Sequence, residues 1–103
     1  VLVNNAGGAT WGPSEDLKVE DFDAMFNGNV RAPYYLVAAF APAMARKGAG
    51  SIVNIGSMAG SLGLPAGAAY GATKAALASL TQGWTAEYSP RGVRVNTVAP
   101  GPV

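Results

Sequence analysis

Tyr70 and Lys74 are the residues of this chain best suited to moving a proton. They stand in AAYGATKAAL, residues 68–77, four positions apart. A helix would therefore stack them on one face, a single turn from each other. The 103-residue chain contains no histidine and no cysteine, so proton chemistry falls to carboxylates, tyrosine and lysine, and thiol catalysis, disulfides and cysteine-based zinc sites are excluded. A lysine cation beside a tyrosine favours the phenolate over the phenol, which makes an acid/base group without histidine. The same spacing also suits an ordinary helix start with a lysine snorkelling to solvent.

Other polar residues stand where they could join such a site. Ser57 follows the apolar run SIVNI and could hydrogen-bond a reacting oxygen; Ser61 competes with it, and either could instead cap backbone groups in a loop. Asn29, in NGNV, reads most simply as a residue chosen for a helix break. Asn4-Asn5-Ala6-Gly7 ends the first apolar run, and Gly7 would let a ligand approach the backbone closely. Gly56 and Gly60 fail as a phosphate loop, because no Gly-Lys-Ser/Thr ending follows, and no G-x-G-x-x-G occurs. Glu15, Asp16, Glu20, Asp21 and Asp23 read as a solvated face with the helix N-terminal preference of acids, with no metal site implied.

The elements that must position these groups follow from the periodicity. Residues 1–4 (VLVN), 51–55 (SIVNI) and 93–99 (VRVNTVA) read as buried strands. Val19, Phe22, Met25 and Phe26 have helical spacing; Gly28 should interrupt that helix, which restarts and runs to about residue 46, where Arg46-Lys47-Gly48 is a stop signal. Residues 56–69 read as a loop and 70–88 as a third helix, closed by Ser89-Pro90-Arg91-Gly92. Strand, helix, strand, helix, strand is a βαβαβ unit of three parallel strands with flanking helices, an α/β fold and half of a doubly wound Rossmann-type sheet. Ligand-binding residues in such a fold gather at the carboxyl ends of the strands, here Asn5 to Gly7, Gly56-Ser57 and Pro100-Gly101.

Composition narrows the partners. Half the residues are hydrophobic, 13% are charged, and seven basic residues are scattered through a chain of net charge +1, so neither a nucleic-acid footprint nor a polybasic membrane patch is expected. The longest apolar run, LVAAFAPAMA over 36–45, is about half of what spans a bilayer. Residues 34–45 are apolar nearly all round, which asks for a second burial surface besides the sheet: a partner subunit, or further segments of the same protein.

Taken in order, Asn4-Asn5-Ala6-Gly7, NGNVRAP around Asn29, IVNIGSMAG around Ser57, YGATK from Tyr70 to Lys74, and NTVAPG from Asn96 to Gly101 resemble the short-chain dehydrogenase/reductase family over essentially the whole chain. That resemblance implies an NAD(P)-dependent oxidoreductase, with NAD or NADP undecided, transferring hydride between the nicotinamide and a ketone or secondary alcohol. Tyr70 would be the general acid/base, Lys74 would favour its phenolate and bind the nicotinamide ribose, and Ser57 would hold the substrate oxygen. Asn29 would anchor a water through its backbone. Asn5, Ala6 and Gly7 would line the adenosine side of the cofactor, and Pro100, Gly101 and Val103 its nicotinamide. The resemblance also implies a cytoplasmic homodimer or homotetramer formed through helices 30–46 and 70–88, binding small molecules rather than nucleic acid or membrane. A non-catalytic nucleotide sensor or scaffold on the same fold is the alternative.

The Gly-rich turn and the first strands of that family have no counterpart here, and neither does its substrate segment. With its start at Val1 rather than Met and its end at Val103, the chain is expected to be an internal piece, residues 1–103 forming part of a nucleotide-binding domain. Such a piece alone is expected to leave Val1–Val3 as an exposed apolar edge, to bind nicotinamide nucleotides poorly and to be inactive.

Overall fold

Three short runs of β-branched residues become three strands. In the computed structural model, which describes residues 1–4, 8–55 and 66–98, these are β1 (Leu2–Asn4), β2 (Gly50–Ile55) and β3 (Val93–Val98). They pair in parallel in the order β1-β2-β3, with Leu2 opposite Ile52, Asn4 opposite Asn54, Ile52 opposite Val95 and Asn54 opposite Thr97. Between the first two strands run α1 (Val19–Phe26) and α2 (Ala32–Lys47), and between the last two runs α3 (Ala68–Tyr88). Short 3₁₀ turns at Ser14–Asp16 and Ser89–Arg91 complete the described elements. The half-Rossmann order expected from periodicity is the order observed, and the strand ends agree to within a residue.

Two boundaries differ. The interruption expected at Gly28 is not a break: α1 passes into α2 through a π-turn, Asn27–Arg31, in which the Ala32 N–H donates to Asn27 O, five residues back. A glycine costs a helix about 1 kcal/mol relative to alanine. Here the chain widens by one residue instead of stopping, because the Asn29 side chain is engaged elsewhere. The third helix starts at Ala68 rather than residue 70, with Gly71 N–H donating to Gly67 O at 2.8 Å. Two alanines, the best helix formers, extend it backward and place Tyr70 inside the first turn. The stop after Lys47 is as expected: Gly48 adopts φ 71°, its N–H meets Ala45 O, and the Ala49 N–H meets Met44 O.

Both crossovers step the same way across the sheet, so right-handedness puts α2 and α3 on one face of it. Alternation then separates the two faces. Ile52, Val93 and Val95 face the helices and form a core with Val37 and Ala41 of α2 and Leu77, Trp84 and Tyr88 of α3. Val3 and Val98 fall on the alternate set and are 55% and 51% exposed. β1 lies at one end of the strand order and Val1 is also exposed; of the apolar edge expected over Val1–Val3, Leu2 instead packs against the core. Among the described residues, no helix is long and apolar enough to cross a membrane.

Near the carboxyl ends of the strands the helix-facing surface changes from apolar to polar within one register row. Asn4 Nδ2 donates to Asn54 Oδ1 at 2.7 Å, Asn54 Nδ2 to Thr81 Oγ1 of α3 at 2.9 Å, and Thr97 Oγ1 to the same Thr81 Oγ1 at 2.9 Å. Thr81 in turn donates to Leu77 O at 2.9 Å. One hydroxyl thus accepts twice and donates once, its full capacity. Asn4 and Asn54 are buried, so each bond lost would leave a desolvated polar group. Asn54→Ala should therefore destabilise the full-length protein by about 3 kcal/mol, and Thr81→Ser, which keeps the hydroxyl, by about 1 kcal/mol or less. Urea unfolding checks the difference; equal losses would mean that the row contributes only packing.

Candidate active site

The face of α3 toward the sheet carries Thr73, Leu77, Thr81, Trp84 and Tyr88, all buried at spacings of three and four. Tyr70 and Lys74 flank this line at its amino-terminal end and are only partly buried. Helix register therefore settles their direction: as the line packs on the sheet, the turn holding the phenol and the amine comes to the carboxyl ends of the strands. Lys74 Nζ donates to Ile55 O, at the last residue of β2, over 3.4 Å, and lies 5.8 Å from the centroid of the Tyr70 ring. The cation and the phenol ring are thus close enough to interact across one helical turn. Burial alone pushes the Lys74 ammonium below its usual value of 10.5.

Asn29 does more than interrupt a helix. It is 1% exposed, and its Nδ2 donates both to Gly8 O, at 3.0 Å, and to Thr73 Oγ1, at 3.1 Å. The Thr73 hydroxyl donates onward to Tyr70 O at 2.6 Å. One amide thereby ties the segment after β1, the π-turn and the Tyr70–Lys74 turn together. Asn29 Oδ1 is buried without a hydrogen-bond partner among the described residues, an acceptor left available at the centre of this clasp.

The structure therefore brings together Asn29, Tyr70 and Lys74. Asn5, Ala6, Gly7, Ser57, Pro100, Gly101 and Val103 lie outside the described residues. Two participants escaped the reading of the sequence. Thr73 carries no apolar signal, although it stands four before Leu77 and eight before Thr81, a spacing that marks the buried line. Trp11, whose indole centroid is 5.3 Å from that of Tyr70, lies in a loop where no periodicity points inward.

A family model for short chain dehydrogenases matches residues 1–103. The chain belongs to the short-chain dehydrogenase family. An uncharacterised oxidoreductase of Thermotoga maritima is 42% identical over 101 residues, which make up 98% of this chain and 40% of that protein. Among solved structures, a short chain dehydrogenase/reductase family protein superposes with a TM-score of 0.95 at 52% identity, covering 98% of this chain and 43% of its own. A gluconate 5-dehydrogenase of Burkholderia cenocepacia, solved with NADP and tartrate, gives 0.94 at 36% identity over 97% of this chain and 39% of its own. The chain thus spans about two-fifths of the length of the short-chain dehydrogenases it matches.

The depressed Lys74 value makes a prediction about stability. The folded protein holds this proton less tightly than the unfolded chain does. Its cost is fully present below the folded value and is relieved as pH rises from there to 10.5, so this group makes stability increase with pH across that window. Lys74→Met removes the buried charge. In the full-length protein the variant should melt at or above the wild-type temperature at pH 7, and its advantage should shrink as pH approaches 10.5. Thermal unfolding followed from pH 7 upward checks this; a variant that melts lower at pH 7 would make Lys74 a structural cation instead.

Proposed function

We propose that this chain is the central piece, residues 1–103, of a nucleotide-binding domain in an NAD(P)-dependent oxidoreductase that interconverts a ketone and a secondary alcohol. The observation carrying this reading is the Tyr70–Lys74 turn: a phenol and a half-buried ammonium one turn apart, at the carboxyl end of β2. Membership of the short-chain dehydrogenase family and the likeness to an NADP-bound relative support it. The donor set suits a nicotinamide dinucleotide. Lys74 Nζ spends one of its three N–H groups on a long bond to Ile55 O, leaving two that could meet ribose hydroxyls.

When bound, the nicotinamide supplies or accepts the hydride. In the reducing direction Tyr70 Oη gives its proton to the carbonyl oxygen as the carbonyl carbon takes the hydride, so the ketone gains two electrons and the alcohol O–H replaces the phenol O–H. In the oxidising direction the phenolate takes that proton back. Lys74 would bind the ribose, and Ser57 would hold the substrate oxygen. Asn5, Ala6 and Gly7 would line the adenosine side of the cofactor, and Pro100, Gly101 and Val103 its nicotinamide. Asn29, through Thr73, holds the Tyr70 backbone in place. Tyr70→Phe in the full-length protein should lower turnover by at least about a hundredfold while nucleotide affinity changes less than about threefold. Turnover near wild type would refute the assignment and favour a nucleotide-binding sensor on the same fold.

The reading includes a second copy of the protein against α2 and α3. Tyr34, Tyr35, Leu36 and Phe40 form an exposed apolar face on α2, although the core already holds Val37 and Ala41 of the same helix. A hollow of about 640 Å³ between the helices is lined by Val30, Tyr34, Ala76 and Leu80. An apolar patch of this kind marks an interface. Replacing both Tyr35 and Phe40 by Glu should leave the circular dichroism spectrum unchanged and weaken self-association by at least about a hundredfold in sedimentation. An unchanged sedimentation coefficient would place any interface elsewhere.

A further inference from the structure

Trp11 stands beside the proposed acid/base and is fixed there by a clasp of its own. Its ring lies 5.3 Å from that of Tyr70, centroid to centroid, with the planes tilted by 50°. Beneath it runs Gly67, where an added Cβ would come within 2.4 Å of the indole Cζ3, so backbone and ring are in close contact. Next to that contact the two segments are tied, Gly12 N–H donating to Ala66 O at 2.8 Å. Ala66 pays for this with a left-handed φ of 64°, a conformation that alanine adopts only when its surroundings hold it there.

For all this fixing, the indole is not buried. It is 54% exposed, and it lies next to Tyr70. A large aromatic pinned by strained backbone, yet left half open, is not accounted for by core packing. None of Gly12, Ala66 and Gly67, the residues whose backbone holds it, has an ionisable side chain. A ketone bound to Tyr70 would lie against a residue whose ring centroid is 5.3 Å from that of the Trp11 indole.

We propose that Trp11 is a specificity-determining residue: its indole is one wall of the substrate site and selects uncharged ketones or secondary alcohols with a ring that can stack on it. The proposal rests on the role given to Tyr70 above. Stacking on an indole contributes through apolar area and ring contact, enough to discriminate between substrates about tenfold. The effect enters through binding, because the indole touches the skeleton and not the reacting atoms.

The test uses the full-length protein with cyclohexanone as the ring probe and propanone as the small one. Trp11→Ala should lower kcat/KM for cyclohexanone about tenfold, chiefly through KM, and change that for propanone by less than about threefold; Trp11→Phe should keep the preference for the ring. Equal losses on both ketones, or no loss, would overturn the proposal. Binding is read separately in the Tyr70→Phe protein saturated with nicotinamide dinucleotide. Adding cyclohexanone should change tryptophan emission, and the change should disappear when Trp11 is also replaced by Phe. If Tyr70→Phe still turns over, the acid/base assignment fails while this emission signal still reports on Trp11. If no Trp11-dependent signal appears, the wall serves another purpose, such as covering a neighbouring segment of the protein, and the proposal fails whatever Tyr70 does.

Discussion

The hydrogen-bonded row Asn4–Asn54–Thr81–Thr97 is the constraint from which the rest of this structure takes its positions. Apolar packing holds α3 on the sheet, but such packing has no direction and would tolerate a helix slid along its axis. Thr81 removes that freedom. Its hydroxyl is bonded to two strands and to its own helix, so a shift of one residue would strand buried polar groups on three elements. Lys74 is seven residues, about two turns, before Thr81. Locking Thr81 to the row therefore also sets how far Lys74 stands beyond it, at the end of β2.

A second, smaller set of bonds carries that order to the Tyr70–Lys74 turn. Asn29 joins Gly8 to Thr73, and Thr73 joins Tyr70. The π-turn is what lets Asn29 stay in a continuous helix and still turn its amide inward. The two sets meet on the same buried line of α3, at Thr73 and Thr81, with Leu77 between them. Polar side chains, rather than apolar ones, thus decide the axial placement of the Tyr70–Lys74 turn in this member of the short-chain dehydrogenase family.

Among the described residues the layering is one-sided. α2 and α3 cover a single face of the sheet, whereas parallel sheets are ordinarily covered on both. Val3 and Val98 on the sheet and Tyr35 and Phe40 on α2 are left as apolar surface. That agrees with a chain spanning about two-fifths of the relatives it matches. The surfaces lie on the sheet and on the outer side of the helices, and the Tyr70–Lys74 turn sits between them without depending on either for its own hydrogen bonds.

Much of this was legible in the sequence. Short β-branched runs, helical spacing and turn residues led to three parallel strands and their helices, because those patterns express local geometry. The pairing of Tyr70 with Lys74 was legible for the same reason: four residues in a helix is a contact. Other features were not local. Gly28 reads as a break, and only the long-range bonds of Asn29, to positions 21 and 44 residues away, turn it into a π-turn. Thr73 and Thr81 carry no apolar signal, and their burial follows from polar partners on other elements. Trp11 reaches Tyr70 across 59 positions, through a loop without periodicity. The sequence alone thus determined which residues could transfer a proton and which elements would carry them. How those elements align, and what stands beside the phenol, emerged from hydrogen bonds and contacts between distant segments, which no local pattern encodes.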